Sequence, residues 1–229
     1  ILSERSFIIQ QSKNRETPKL IIEKAYDTWA ARYDTDKNKT RDLDSTSTAA
    51  TLSSYSFQHV LELGCGTGKN TEWLLNRAER VIGLDFSHAM LDIAKEKMAN
   101  NRAQFIKVDL TSEWNIDPQW ADLVTSSLTL EHIENLDPVF EQSNRTLAKN
   151  GLFFISELHP YKQYDGSGAR FESENETVHI EVFIHHLTDY INSAKANGFE
   201  LLETREWFDG PVREGIPRLI SFLFRKKIS

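Results

Sequence analysis

The stretch Val60-Leu61-Glu62-Leu63-Gly64-Cys65-Gly66-Thr67-Gly68 decides how the rest of the chain is read. An apolar run broken by a single acid enters three glycines at alternate positions, and helix-compatible residues follow. That is a strand running into a tight turn and then a helix. Glycine adopts backbone conformations that a Cβ forbids, and it lets main chain approach a ligand closely. Lys69 stands where the dinucleotide fingerprint G-x-G-x-x-G wants its third glycine. The turn therefore suits a nucleoside ligand without a pyrophosphate, with a plain ligand-free strand–helix turn as the structural alternative.

Outward from that turn, short apolar runs alternate with amphipathic helical patterns. Strands are expected at His59–Leu63, Arg80–Leu84, Gln104–Val108, Ala121–Ser126 and Leu152–Ser156. Helices are expected near Lys69–Arg77, Ser87–Asn100 and Asp137–Lys149, the last stopped by Asn150-Gly151. This alternation implies right-handed crossovers and a parallel sheet with helices on both faces. Two closing strands, Glu200–Trp207 and Arg218–Arg225, flank the turn Asp209-Gly210-Pro211 and read as an antiparallel hairpin at the sheet edge. Leu187–Asn197 reads as a helix before them. The fold class expected is α/β, a Rossmann-like doubly wound sheet.

Toward the N-terminus, Leu20, Ile21, Ala25, Trp29 and Tyr33 recur at helical spacing over Lys19–Tyr33, after a mixed polar start ending at Pro18. Residues 34–56 are charged and then rich in Ser and Thr, which predicts a mobile loop or lid. The chain is expected to be one domain: a helix and lid over residues 1–56, a core over 57–229, and a substrate-side insert over 158–186. Length fits this, since 229 residues fill one doubly wound unit.

Composition narrows the function classes. Thirty-four acidic against 27 basic residues give a net charge of −7, so a phosphate backbone is a poor partner. No apolar run is long enough to span a membrane. A single cysteine, Cys65, offers no internal disulfide and no zinc site, which favours a cytoplasmic setting without metal.

Two further signals fall at strand ends, where ligands of open α/β sheets bind. Asp85 closes Val81-Ile82-Gly83-Leu84-Asp85-Phe86-Ser87, 17 residues after Gly68, where a carboxylate can accept from both hydroxyls of a ribose. Ser87 is placed to cap the next helix, and Met90 to lay a thioether on a purine ring. Asp109, closing Phe105-Ile106-Lys107-Val108-Asp109-Leu110, can accept from an exocyclic amine or simply form a turn.

Together these segments resemble the class I S-adenosylmethionine-dependent methyltransferases, from about Tyr26 to Arg225. Glu62–Gly68 matches the first motif, Gly83–Leu91 the ribose segment and Phe105–Leu110 the adenine segment. Ala121–Ile133 looks like the segment closing the methionine end. The chain is most similar to the small-molecule enzymes of the ubiquinone-biosynthesis and malonyl-carrier-protein type, which also carry an N-terminal helix like Ala25–Asp34. The resemblance implies S-adenosylmethionine as methyl donor and S-adenosylhomocysteine as product. It implies Gly64, Cys65 and Gly66 in the cofactor turn beneath methionine, with Glu62 near its ammonium. It implies Asp85 on the ribose, Phe86 and Met90 flanking adenine, and Asp109 with Leu110 at its amino edge. Ser126 and Ser127 would line the methyl end, with Tyr26 and Tyr33 as lid residues or as plain core of the first helix.

A sulfonium is already activated, so the protein must mainly align the acceptor and exclude water. The loop Ser126-Ser127-Leu128-Thr129 lacks the Asn/Asp-Pro-Pro-aromatic signature of enzymes that methylate exocyclic amino nitrogens. With the negative charge, that favours a small-molecule acceptor methylated at O, N or C. His132 and His159 follow the fourth and fifth strands and are the base candidates, each with a structural reading beside it. Period two over Val178–Ile184 predicts a strand with His179, Glu181, Phe183 and His185 on one face. His179, His185, Tyr161 and Arg170 are candidate substrate residues, the aromatic and cationic insert hinting at a planar or anionic acceptor. Three alternatives stand beside this reading. They are a nicotinamide-dependent oxidoreductase, a non-catalytic S-adenosylmethionine-binding module, and a protein or RNA methyltransferase.

Overall fold

The computed structural model describes residues 18–99, 102–172, 177–210 and 212–228. The polar start over residues 1–17, the last residue of the helix expected to Asn100, and Pro211 of the closing turn lie outside them. Helices α1 Pro18–Tyr33 and α2 Lys39–Leu52 precede β1 His59–Leu63. Alternation then begins: α3 Lys69–Leu75, β2 Arg80–Asp85, α4 His88–Lys97, β3 Ala103–Lys107, β4 Ala121–Ser127, α5 Asp137–Thr146 and β5 Leu147–Leu158. Short elements α6 Pro160–Tyr164, β6 Arg170–Glu172 and β7 Thr177–His179 lead to α7 Leu187–Ala196, β8 Phe199–Trp207 and β9 Leu219–Lys226.

The seven-stranded sheet runs β3-β2-β1-β4-β5-β9-β8, with β6 and β7 forming a separate two-stranded hairpin. Strand order reverses between β1 and β4, so the carboxyl ends of those two strands splay apart into a crevice. Strand β9 pairs antiparallel with both β5 and β8. The closing hairpin therefore reaches the edge only through β8, and β9 is a central strand, fully apolar over Leu219–Phe224 but for Ser221.

Both sheet faces are buried, which is why the strands read as near-continuous apolar runs. Leu61, Leu63, Phe153, Phe222 and Phe224 pack under α5 and α7 with Phe140 and Tyr190. Val60, Phe154 and Leu223 point the other way, against Leu52, Leu74 and Leu75. Among the described residues no helix is long and apolar enough to cross a membrane.

Three expectations need correction. Residues 34–56 hold helix α2, not a continuous loop. Asn38 caps it, its side chain accepting from Thr40 and Arg41 N–H at 3.0 and 3.1 Å. The packed face of α2 is made of Asp44, Ser47, Thr48 and Thr51, with Leu52 alone apolar and fully buried. Ser47 joins the hydroxyl of Ser156 on β5 at 2.9 Å, and Asn70 donates to Asp44 at 2.9 Å. A helix docked through hydroxyls has no hydrophobic period, so pattern reading passes over it. Second, α5 ends at Thr146, and Asn150-Gly151 lies inside β5 as an irregularity, with Asn150 at φ 61°. Third, the strand expected over Val178–Ile184 stops at His179, so its period-two face does not form.

Truncating Leu52 to Ala should cost about 2–5 kcal/mol of stability, the range for a packed core leucine. Chemical denaturation of the L52A variant reads this, and an unchanged midpoint would mean α2 is not packed as described.

Candidate active site

The crevice is built from the glycine turn. Gly64 and Gly66 hold φ values of 63° and 52°, a left-handed region costly for any residue with a Cβ. A Cβ on Gly64 would meet the Thr129 Oγ1 at 2.0 Å, so the loop after β4 abuts the turn directly. At Gly66 a Cβ would meet nothing within 4 Å, because that side opens into the crevice.

Asp85, buried at the end of β2, ties this turn down. One carboxylate oxygen accepts from Gly66 N–H at 2.8 Å and the other from Ser87 N–H at 2.9 Å. Ser87 in turn caps α4 by accepting from Met90 N–H at 3.2 Å. Phe86 N–H adds a third backbone donor, and a carboxylate has about four acceptor positions, so Asp85 keeps some capacity for a ligand.

Above it lies a cavity of about 290 Å³. Its walls include Tyr26, Tyr33, Gly64, Gly66, Asp85, Phe86, Met90, Asp109, Leu110, Ser127 and His132, drawn from five separate segments of chain. Glu62, Cys65 and Ser126 are buried behind it and do not line it. Asp109 spends one oxygen on Thr111, from N–H at 3.0 Å and hydroxyl at 2.7 Å, so it is also a turn former. Helix α1 roofs the cavity: Tyr26 meets the edge of Phe86 at 5.7 Å, and Asp27 accepts from the Ser87 hydroxyl at 2.5 Å.

Residues 61–155 match the methyltransferase-domain family. A ubiquinone biosynthesis O-methyltransferase of Pelagibacter ubique is 27% identical over 100 residues, 44% of this chain and 42% of that protein. A trans-aconitate 2-methyltransferase of Paracidovorax citrulli is 34% identical over 100 residues, 42% of this chain and 37% of that one. The chain thus spans less than half the length of either curated relative. An S-adenosylmethionine-dependent methyltransferase structure from Listeria monocytogenes shares the fold with a TM-score of 0.70 at 22% identity, covering 82% of this chain and all of that one.

Over residues 61–155 the chain is similar to the methyltransferase-domain family, and its fold is that of S-adenosylmethionine-dependent methyltransferases of known structure. The cavity fits the methyl donor of this family on its own geometry: an open cradle at Gly66, unsatisfied acceptor positions on Asp85, and a thioether and an aromatic ring at Met90 and Phe86. Among the described residues, no three His, Cys, Asp or Glu side chains form a metal-binding group.

A second cavity of about 520 Å³ adjoins the first, sharing Tyr26, Tyr33 and Leu128 as a partition. Arg170 lines it, as the insert was expected to do. The other candidate substrate residues do not. Tyr161 is solvent-exposed, His179 is exposed opposite Arg170 on the β6–β7 hairpin, and His185 is buried, donating to the Ile133 carbonyl at 2.8 Å. His159 lines neither cavity. Its Nδ1 caps α6 by accepting from Tyr161 N–H at 3.1 Å, and its Nε2 lies 3.5 Å from Glu206.

His132 does reach the site, on a short 3-10 turn Leu130–His132. The Glu181 carbonyl accepts from its Nδ1 at 3.0 Å, leaving Nε2 to accept from the Tyr26 hydroxyl at 2.8 Å. Burial holds the imidazole neutral, its pKa lowered to about 4.

Carboxylates unmarked by any motif surround that turn. Glu157 accepts from Thr129 and Leu130 N–H at 3.0 and 2.9 Å and so positions the turn. Glu131 lines the second cavity, 4.0 Å from His132 Nε2, and accepts from the Gln163 amide at 3.1 Å. Burial pushes Glu131 up to about 7, and Glu62 and Glu157 each to about 8. The sequence signal available was only an acid beside a strand-end histidine.

Raised carboxyl values mean that the native state binds more protons than the unfolded chain, so stability falls as pH rises through the folded values. His132 and His159 act oppositely only below about 6.5. The ligand-free protein is therefore expected to lose thermal stability between pH 6.5 and 8.5, by about 3 °C for each net proton released across one pH unit. Differential scanning calorimetry across that range checks this, and a rising midpoint would contradict the buried acids.

Proposed function

We propose that this protein transfers a methyl group from S-adenosylmethionine to a small-molecule acceptor, in a cytoplasmic setting. The observation that carries the reading is the pair of adjoining cavities sharing the Tyr26–Tyr33–Leu128 partition, one built on the glycine turn and Asp85 and one open to solvent. In this reading Asp85 accepts from the ribose hydroxyls through its remaining acceptor capacity, and Met90 and Phe86 hold adenine. Asp109 and Leu110 bind the amino edge, and Gly64, Gly66 and Ser127 bed the methionine. When bound, the cofactor supplies an electrophilic methyl on a sulfonium, so no covalent enzyme intermediate is needed.

The protein's own part is alignment and proton handling. Tyr26, Tyr33 and Leu128 confine the acceptor to one approach and keep water from the transfer path. A proton leaving the acceptor has two receivers at the partition. His132 is a weak base at neutral pH, with its Nε2 already engaged by Tyr26. Glu131 titrates near neutrality and faces the acceptor side, so it is the better matched base. The negative overall charge, the missing nucleic-acid amino-methylation signature and the acceptors named for the curated relatives support a small molecule over a polymer.

Two variants test this. Asp85→Ala should abolish calorimetric binding of S-adenosylhomocysteine while circular dichroism stays native; unchanged affinity would refute the ribose assignment. Glu131→Gln should lower kcat about a hundredfold, the lower end of the range for a lost general base. It should also remove the limb of the pH–rate profile near 7, with S-adenosylhomocysteine affinity within about twofold. Equal kcat in the two proteins would exclude Glu131 as the base.

A further inference from the structure

The second cavity inverts the charge of the protein. The chain carries a net charge of −7, yet this one surface gathers Arg32, Lys37, Lys39, Arg41, Arg170 and Arg218 against two acids, Asp36 and Glu131. Some of that charge is neutralised, since Asp209 engages Arg218 and Asp36 lies 3.3 Å from Arg32. Lys37, Lys39 and Arg170 enter no ion pair among the described residues, and all three side chains are exposed at the cavity wall. They come from two distant segments, the α1–α2 connection and the β6–β7 hairpin, so the cluster is made by the fold and not by a run of basic sequence.

Arg41 supplies an independent observation. It is only 7% exposed, yet no carboxylate pairs with it among the described residues. Its two terminal nitrogens donate to the backbone carbonyls of Tyr33 and Asp36, the latter at 2.9 Å, and its guanidinium lies 4.0 Å from the centre of the Tyr33 ring. The Nε–H is buried without an acceptor. An intrinsically charged guanidinium with an unsatisfied donor, held in a cavity wall, is a costly arrangement that an anion would relieve.

We propose that the second cavity anchors an anionic group of the acceptor, a carboxylate or a phosphate, on Lys37, Lys39 and Arg170 with Arg41 beneath. The proposal rests on the methyltransferase reading for the word acceptor, while the anion site itself does not. The anchored group is separate from the atom that is methylated. Glu131 at the partition repels a second anion there, so the reacting end of the molecule is neutral or protonated and the charged end faces the rim.

Calorimetric titration of citrate and of inorganic phosphate, into free protein and into protein loaded with S-adenosylhomocysteine, tests the site. At least one anion should bind with a dissociation constant below about 1 mM at low salt and weaken as ionic strength rises, as for any partly screened charge cluster. Tighter citrate binding points to a carboxylate, tighter phosphate binding to a phosphoryl group. The double reversal Lys39→Glu with Arg170→Glu should weaken binding at least tenfold and leave S-adenosylhomocysteine affinity within about twofold. The control reversal Lys149→Glu with Lys195→Glu, at exposed positions outside the cavity, should change neither. Absence of binding by both anions, or equal loss in the control, overturns the anion site. Failure of S-adenosylhomocysteine to bind wild-type protein would instead overturn the methyltransferase reading, with the anion titration of free protein still decisive for this proposal.

Discussion

The carboxylate of Asp85 holds the site together before any ligand arrives. It spans the gap between the glycine turn after β1 and the first turn of α4, accepting one backbone N–H from each. Two neighbouring strand–helix turns of the β1–β2–β3 half are thereby pinned beside the reversal point. Burial alone would favour the protonated acid, and the backbone N–H donors of Ser87, Gly66 and Phe86 pull against that, leaving its pKa raised to about 6. The group is ionised at neutral pH because the backbone is arranged around it. A mispositioned Gly66 would lose the donor and the cradle together.

The other acids near the strand ends answer to a different balance. Among the described residues Glu62, Glu131 and Glu157 have no Lys or Arg partner, and desolvation dominates each of them. Glu62 leans on the Thr71 hydroxyl, and one oxygen of Glu157 is buried without any donor. The positive residues collect one layer outward, at the mouth of the second cavity. Charge is thus sorted by depth, acids inside and bases at the rim.

The glycine-turn crevice was legible in the sequence because backbone requirements there dictate residue types. Only glycine suits the turn at Gly64 and Gly66, and a strand-end acid at Asp85 has few other uses, so the order of motifs along the chain is enough. The roof was half legible: the spacing of Trp29 and Tyr33 revealed α1, whereas α2 hid behind serines and threonines that pack through hydrogen bonds. Histidines were the least readable. His132, His159 and His185 look alike as residues following strands or turns. Only the fold distinguishes a cavity wall, a helix cap and a buried donor to a carbonyl. Glu131 and Arg41 escaped for the same reason, since their meaning comes from what the fold removes around them.

The antiparallel course of β9 has one more effect. Running against its neighbours, it begins at the carboxyl end of the sheet and brings Arg218 to the rim of the second cavity, where its guanidinium reaches the Thr40 hydroxyl at 3.2 Å, 178 positions away in the chain. The crevice at the glycine turn draws on segments up to Phe183, while the opposite mouth waits for the last strand. A polypeptide emerging from the ribosome therefore completes the glycine-turn cavity first and the basic one last.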